Sequence, residues 1–361
     1  MLIPKRVILF LGLLLTTLLI AFSAEAFAAA EAGLALWWNA VLPTLLPFYI
    51  GASCLLSGGA FDALSRLSAP LAKRNAMPAA LPGVLLIGAV SGYPVGARLA
   101  GENGLSDLAP YANLCSPIFM LCVLGGELLG SVRLALPILT AHYASALLTL
   151  VLKISLIGLP RAEMRPAAVL ASFSLPETIG SGMDAMLRVG GCIVFFSVVS
   201  ALLEKAGVFA FAAAPAVLLG ADRAAVYAVF TGLFEFSCGC RAVALANLPV
   251  RSAVSLMAGL TSFGGLSVLM QAKLFAPPLR TPPYLAAKAL QGALAAALAY
   301  LLFPLFANSA VTAMQIDADL AIKNAVAGGS LLLISAAAMA FIMLLSVVLS
   351  RLTPKAEQPK Q

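Results

Sequence analysis

Helix-breaking residues interrupt a long apolar stretch at residues 88–100, which read GAVSGYPVGARLA. Pro94 has no backbone N–H to donate, and Gly92 and Gly96 weaken a helix, so a straight helix is disfavoured here. In lipid, such a break must be covered by protein or line a wet cavity. The stretch therefore predicts a re-entrant hairpin with its tip at mid-membrane depth, where free N–H groups of helix ends favour an anionic ligand.

The composition indicates that the surroundings of this stretch are a lipid bilayer. Of 361 residues, 62% are hydrophobic and only 10% are charged, which excludes an ordinary soluble domain. The alternating pattern of transmembrane β-strands is absent, and no basic cluster with interleaved aromatic residues indicates a nucleic-acid partner. We expect an all-α polytopic membrane protein with about eight transmembrane helices and two re-entrant hairpins.

Apolar runs long enough to cross a membrane predict where these transmembrane helices lie in the chain. The first run ends in small residues, so it is either a transmembrane helix or a signal peptide that is removed. An amphipathic interfacial helix is predicted at 61–76 and the first hairpin at 80–101. The predicted spans are 7–30, 33–58, 105–130, 134–157, 186–206, 250–272, 284–305 and 326–350.

A second broken stretch suggests that the chain is an internal repeat. Residues 232–244, GLFEFSCGCRAVA, begin 144 positions after residue 88, and Ser116-Pro117 lies 146 positions before Ser262-Phe263. Each half would contain an odd number of spans, which predicts an inverted repeat of the kind found in secondary transporters. The predicted parts are an N-terminal helix at 1–32, repeat 1 at 33–158, a cytoplasmic loop at 159–180, repeat 2 at 181–306, a loop and last transmembrane helix at 307–350, and a polar tail at 351–361.

The distribution of basic residues predicts the orientation. Most lysine and arginine residues fall on one side of the predicted spans, with Lys288 counted among them. Because cytoplasmic loops are enriched in these residues, both termini are expected in the cytoplasm.

Glu235 is the strongest single candidate for function. It lies near the tip of the second hairpin, and a charged residue at membrane depth costs about 2.5–3.5 kcal/mol. One interpretation is that it binds substrate and couples transport to a proton. The other is that it pairs with Arg241 and only braces the hairpin.

Further candidates lie at both tips and in the spans that follow them. They either line a substrate cavity or pack helices closely. The predicted substrate-binding residues are Ser91, Gly92, Tyr93 and Pro94 at the first tip, Glu235, Ser237 and Gly239 at the second, and Asn113, Ser116, Ser262, Gly264, Gly265 and Gln271 in the spans.

Three other polar residues allow two interpretations each. Arg98 and Arg241 either attract an anion or extend to the membrane interface. His142, the only histidine, either relays protons or bonds to a neighbouring helix. No set of catalytic or metal-ligating residues stands out, so we expect neither an enzyme nor a bound metal or cofactor.

Four motifs together resemble one protein family. They are Ser91-Gly92-Tyr93-Pro94-x-Gly96-Ala97, Asn113-x-x-Ser116-Pro117, Glu235-x-Ser237-x-Gly239, and Ser262-Phe-Gly-Gly-Leu-Ser-Val268-x-x-Gln271. They resemble the YlbJ family of sporulation integral membrane proteins, whose halves are nucleoside-recognition (Gate) domains. The chain departs from the family pattern at Leu269, where some relatives have histidine, and at Ser237, where threonine is usual.

The resemblance implies a distant relation to concentrative nucleoside transporters and a place in the outer forespore membrane. It also implies that the substrate is dipicolinate, a small aromatic dianion. We therefore expect a transporter of a small organic anion that works by alternating access at the two tips, coupled to a proton or sodium. The alternatives are a membrane assembly factor without transport activity and a nucleoside transporter. The oligomeric state stays open.

Overall fold

The computed structural model describes residues 5–60, 63–64, 66, 77–78, 80–159 and 173–313, with side chains described as far as residue 306. Within these residues the chain is helical and contains no β-strand. Five helices there are long and apolar enough to cross a membrane: Ser23–Ser57, Val132–Ile157, Leu175–Lys205, Val250–Phe275 and Thr281–Phe306. The prediction of an all-α polytopic membrane protein is confirmed.

The N-terminal region forms two long helical stretches. Helix α1 (Lys5–Ala21) ends next to Phe22, after which α2 (Ser23–Leu36), a π-helical turn (Trp37–Val41) and α3 (Leu42–Ser57) continue without interruption. The boundary between the first two predicted spans therefore lies earlier in the chain than expected.

The first hairpin forms where the helix-breaking residues predict it. Helix α4 (Leu81–Ser91) ends at Gly92, whose φ is +82°, and α5 (Val95–Glu102) starts after Pro94. A Cβ built on Gly88 would lie 2.9 Å from the Cα of Gly96. Residues eight positions apart in a straight helix are separated by about 12 Å, so the chain folds back on itself here.

The segment after the first hairpin differs from the predicted single span at 105–130. It consists of a 3₁₀ turn (Ser106–Leu108), the short helix α6 (Ala109–Ala112), a non-helical stretch at residues 113–116, and a helical segment that becomes π-helical at Phe119–Leu128. Pro117 starts that helical segment, a position where its missing N–H costs nothing. A 3₁₀ turn (Val132–Leu134) leads into the long helix α7 (Ala135–Ile157).

The second half begins with α8 (Leu175–Lys205) and α9 (Val208–Leu218), which precede the second hairpin. Helices α10 (Arg223–Phe234) and α11 (Phe236–Leu245) meet at Glu235. A Cβ on Gly239 would lie 2.3 Å from the Cα of Gly232, so a pair of glycines closes this hairpin as in the first.

The last described helices pack against the first half. Helix α12 (Val250–Phe263) breaks at Gly264 and Gly265, both with positive φ, before α13 (Gly265–Phe275) and α14 (Thr281–Ala313). Helix α12 packs along α14 and α7, α7 packs on α14, and α2 and α3 pack on α8. The predicted interfacial helix, the loop at 159–180 and the last span lie wholly or largely outside the described residues, and the inverted relation of the halves stays a prediction.

Candidate functional site

Four interruptions of helical structure meet at one place. A Cβ on Gly92 at the first tip would lie 2.7 Å from the Cβ of Ser116, in the non-helical stretch. Likewise, a Cβ built on Gly265, at the break between α12 and α13, would lie 2.9 Å from the carbonyl oxygen of Gly232 in the second hairpin. The Tyr93 hydroxyl donates to the carbonyl oxygen of Thr261 at 2.8 Å, which joins the first tip to α12. Close contacts at glycines therefore fold each half back on itself, and the Tyr93–Thr261 hydrogen bond joins the two halves.

A small cavity, here called the tip cavity, lies between these interruptions. Its volume is about 30 Å³, which has room for a few water molecules at most. Its walls are apolar with a few polar groups, the usual character of a ligand site. The apolar lining residues are Val41, Leu45, Phe119, Val189, Ile193, Phe236 and Val268, and the polar ones are Tyr93, Cys115, Ser116, Glu235, Ser237 and Gln271.

The carboxyl group of Glu235 caps the helix that follows it. Glu235 is buried, and its Oε2 accepts hydrogen bonds from the Ser237 hydroxyl and, at 2.8 Å, from the backbone N–H of Cys238. The Ser267 hydroxyl lies 3.4 Å from the other carboxyl oxygen. Negative charge at a helix N-terminus is favourable, so the one buried acid among the described residues lies where backbone donors are free.

Glu235 is not braced by Arg241. Arg241 is exposed, and among the described residues Glu235 forms no ion pair. Arg98, its predicted counterpart in the first half, pairs with Glu102 at 2.7 Å and donates to the Tyr49 hydroxyl at 2.9 Å. Neither arginine lines the tip cavity.

Aromatic rings connect the two tips directly. The ring of Tyr93 meets Phe236 edge-on with centroids 5.8 Å apart, and Phe119 lies 5.5 Å from the same ring. Such edge contacts are the preferred geometry of aromatic pairs. Because all three rings line the tip cavity, a planar aromatic ligand would meet ring faces or edges on several sides.

His142 joins the non-helical stretch to α12. Its Nε2 accepts the backbone N–H of Cys115 at 3.1 Å, and its Nδ1 lies 2.7 Å from the Ser262 hydroxyl. Since Nε2 is an acceptor, the ring proton sits on Nδ1 and is donated to Ser262. The interpretation that His142 bonds to a neighbouring helix therefore describes the observed contacts.

Lys288 is a polar residue of the site that the charge pattern missed. The prediction that Lys288 lies at the cytoplasmic surface is wrong, because this residue of α14 has a fully buried side chain. The Nζ donates to the carbonyl oxygen of Asn113 at 3.2 Å and to Oε1 of Gln291 at 2.7 Å. It lies 5.6 Å from the centroid of the Tyr93 ring.

The repeat contains a signal that points to Lys288. Positions 142 and 288 are 146 apart, the same separation as Ser116 and Ser262. Extending the repeat along the last span of each half therefore pairs His142 with Lys288. Both hold the same non-helical stretch, His142 at Cys115 and Lys288 at Asn113.

The predicted substrate-binding residues divide into two groups. Those that line the tip cavity are Tyr93, Ser116, Glu235, Ser237 and Gln271. The others shape the surroundings of the cavity. Close contacts or turns are permitted by Gly92, Gly239, Gly264 and Gly265. Asn113 donates to the Tyr284 hydroxyl, Ser262 forms a hydrogen bond with His142, and Ser91 and Pro94 are buried at the first tip. Thr261, Ser267 and Tyr284, which the motifs do not single out as ligands, complete this polar shell.

Comparison with known proteins supports the resemblance inferred from the motifs. The chain is 26% identical over 334 residues to the sporulation integral membrane protein YlbJ of Bacillus subtilis (strain 168), covering 81% of this chain and 82% of that protein. The predicted likeness to YlbJ is thereby confirmed. No protein-family model matches the chain. No solved structure matches it.

Proposed function

We propose that this protein is a membrane transporter of a small organic anion, with dipicolinate as the leading candidate, that acts in spore formation. The place in spore formation rests on the similarity to YlbJ, which is named as a sporulation integral membrane protein. Dipicolinate and the outer forespore membrane are what the family resemblance implies.

The observation that carries the transport proposal is the meeting of four helix interruptions at the tip cavity. Interrupted helices at membrane depth are typical of transporter binding sites, because they expose backbone groups to a ligand. Phe236 and Ser237 are the first residues of α11, Val268 lies in the first turn of α13, and Phe119 starts the π-helical segment. Helix N-termini carry partial positive charge, so this wall suits an anion once the Glu235 carboxyl, which caps α11, is protonated.

The groups on the wall fit an aromatic dicarboxylate in particular. Tyr93, Phe119 and Phe236 offer rings to an aromatic body, while the Ser116 and Ser237 hydroxyls and the Gln271 amide offer hydrogen bonds to carboxylates. The cavity of about 30 Å³ is too small for such a ligand. Transport therefore requires a wider state, as alternating access does, and the structure would represent a closed form.

Glu235 is the predicted coupling group, and this stays a prediction. Its carboxyl lines the tip cavity and holds the second tip in place through Ser237 and Cys238. A proton on this carboxyl would remove a negative charge from the path of an anion.

The test is uptake of labelled dipicolinate into proteoliposomes containing the purified protein, with an imposed pH gradient. We expect wild-type uptake that rises with the pH gradient, and a weaker response to that gradient for Glu235→Gln, because glutamine cannot exchange a proton. Arg241→Gln, which changes an exposed residue outside the cavity, serves as the control and should transport normally. Absence of wild-type uptake in vesicles with folded protein would refute the proposal.

A membrane assembly factor remains the second candidate, favoured by the small cavity and the dense glycine contacts around it. It predicts no uptake of dipicolinate under any gradient and stable co-purification of a partner protein. A nucleoside transporter belongs to the same functional class as the proposal. Competition by excess uridine in the uptake assay separates it from a dipicolinate carrier.

A further inference from the structure

We propose that Lys288 is the counter-ion of the transported anion: its amine takes up a proton as the anion enters the tip cavity and releases it as the anion leaves. This rests on the proposed function and adds a coupling group to it. The bound proton and the anion would cross the membrane together, so net charge in the site stays low throughout the cycle.

The first reason is that Lys288 has no acidic partner. Its side chain is fully buried, and among the described residues no carboxylate forms an ion pair with it. Its two acceptors, the Asn113 carbonyl and the Gln291 amide oxygen, are uncharged. A buried ammonium without an anion is strongly disfavoured, so the amine is neutral unless an anion comes close.

The second reason is the position of Lys288 next to the tip cavity. Tyr93 lines the cavity, and Lys288 lies behind it with its Nζ 5.6 Å from the ring centroid. The non-helical stretch that Lys288 holds at Asn113 continues into Cys115 and Ser116, which also line the cavity. Because charges interact strongly across a dry protein interior, an anion in the cavity would favour the ammonium form over this distance.

The third reason is unused hydrogen-bonding capacity around the amine. The Asn113 side-chain oxygen and the Gln291 side-chain nitrogen are buried without a hydrogen-bond partner. Buried polar atoms are rarely left unpaired, and of these two only the Asn113 oxygen can accept a hydrogen bond from the amine. An ammonium has three N–H donors, of which two are used, and the Asn113 side-chain oxygen belongs to a residue that Lys288 already contacts.

The other titratable groups around Lys288 do not supply the missing negative charge. They are His142 on α7, Tyr93 at the first tip, Cys115 in the non-helical stretch and Tyr284, one turn earlier on α14 itself. Tyr143 and Cys240 are neighbours of Tyr93. His142 is held neutral by its two hydrogen bonds, and the tyrosines and thiols are uncharged near neutral pH. Further along α14, Lys273 contacts Thr281 and Arg251 contacts Tyr300, and both are cations. Glu235 lines the cavity but bonds Ser237, Cys238 and Ser267.

The experiment measures protons taken up when dipicolinate binds the purified full-length protein. A pH-indicator dye in weakly buffered detergent solution reports the protons, and calorimetry reports the bound anion. We expect about one proton per bound anion for the wild type and, by linkage, an affinity that falls up to tenfold per pH unit as pH rises. Lys205→Gln, at an exposed lysine of α8, is the matched control and should behave like the wild type.

Two variants at position 288 assign the proton. Lys288→Met cannot bind one and should show weaker binding and no proton uptake. Lys288→Arg has a permanent positive charge, so it should bind dipicolinate with little pH dependence and without proton uptake. This variant provides the test if Lys288→Met does not fold. Glu235→Gln retains Lys288 and should therefore keep the proton uptake per anion.

Each remaining outcome decides the matter. Uptake that persists in a folded Lys288 variant, or that disappears in Glu235→Gln instead, overturns the inference and assigns the proton elsewhere. Wild-type binding without proton uptake overturns it while leaving the proposed transport intact. A folded wild type that binds no dipicolinate removes both the proposed substrate and this coupling.

Discussion

At the scale of single residues, His142 shows how a buried polar group can fix two helices in register. Its two ring nitrogens have different tasks, since Nε2 accepts the Cys115 N–H while Nδ1 donates to Ser262. Cys115 belongs to the first half and Ser262 to the second, so one imidazole connects the halves. Leaving any of these buried groups without its partner costs about 1–3 kcal/mol.

We therefore predict a measurable coupling between His142 and Ser262. Ser262→Ala leaves the Nδ1–H unpaired, and His142→Phe leaves the Cys115 N–H unpaired, so each should destabilise the protein by about 1–3 kcal/mol. The double variant should cost less than the sum, because the two residues share one hydrogen bond. Unfolding in detergent, followed by temperature or denaturant, measures all three. Ser181→Ala, at an exposed serine of α8, is the control, and strict additivity would contradict the shared bond.

At the scale of elements, the two hairpins depend on glycine more than on helix propensity. A Cβ at Gly96 would lie 1.9 Å from the carbonyl oxygen of Ala112, which is backbone and cannot rotate away. In the second hairpin, a Cβ at Gly239 would meet the backbone of Gly232 in the same manner. These glycines cost helix stability, but Gly96 allows α5 to pack against α6, and Gly239 allows the two arms of the second hairpin to touch.

The prediction at this scale is that Gly96→Ala destabilises the packing of the first hairpin against α6. Alanine normally stabilises a helix by about 1 kcal/mol over glycine, but the clash with Ala112 should reverse the sign and cost about 1–3 kcal/mol net. Gly191→Ala in α8 is the matched control, since its Cβ meets nothing within 4 Å, and it should be neutral or stabilising. Thermal unfolding in detergent compares them. Equal stability of the two variants would show that α5 does not pack against Ala112 as closely as the structure has it.

The sequence predicted these elements well where a local rule forces the backbone. Pro94 and the neighbouring glycines required a break, and the tip lies there. The span at 105–130 was predicted as one helix because hydropathy reports apolar length and not continuity, so the non-helical stretch at 113–116 was missed. Lys288 was misplaced for a similar reason. The prediction of orientation from lysine and arginine positions assumes that each lysine reaches water. Lys288 instead stays in the protein interior, where it forms hydrogen bonds with Asn113 and Gln291.

At the scale of the whole molecule, corresponding parts of the two halves pack against each other. Helix α3 contacts α8, and these are the first spans of the predicted repeats. Helix α7 contacts α14, and these are the last spans. Pairing of equivalent helices is expected when two halves are related by a two-fold axis. The inverted orientation adds a stronger requirement, because equivalent ends of the two hairpins must then face opposite sides of the membrane.

This requirement can be tested with single cysteines at the far ends of the hairpins. Glu102, at the end of α5, and Leu245, at the end of α11, are exposed and occupy matching places in the two halves. In a background carrying Cys54→Ser, which removes the exposed native thiol, we expect a membrane-impermeant maleimide to label Glu102→Cys from one side only and Leu245→Cys from the other. The unsubstituted background gives the signal of the remaining cysteines. If both positions react from the same side, the halves are parallel, and alternating access by exchange of inverted halves loses its structural basis.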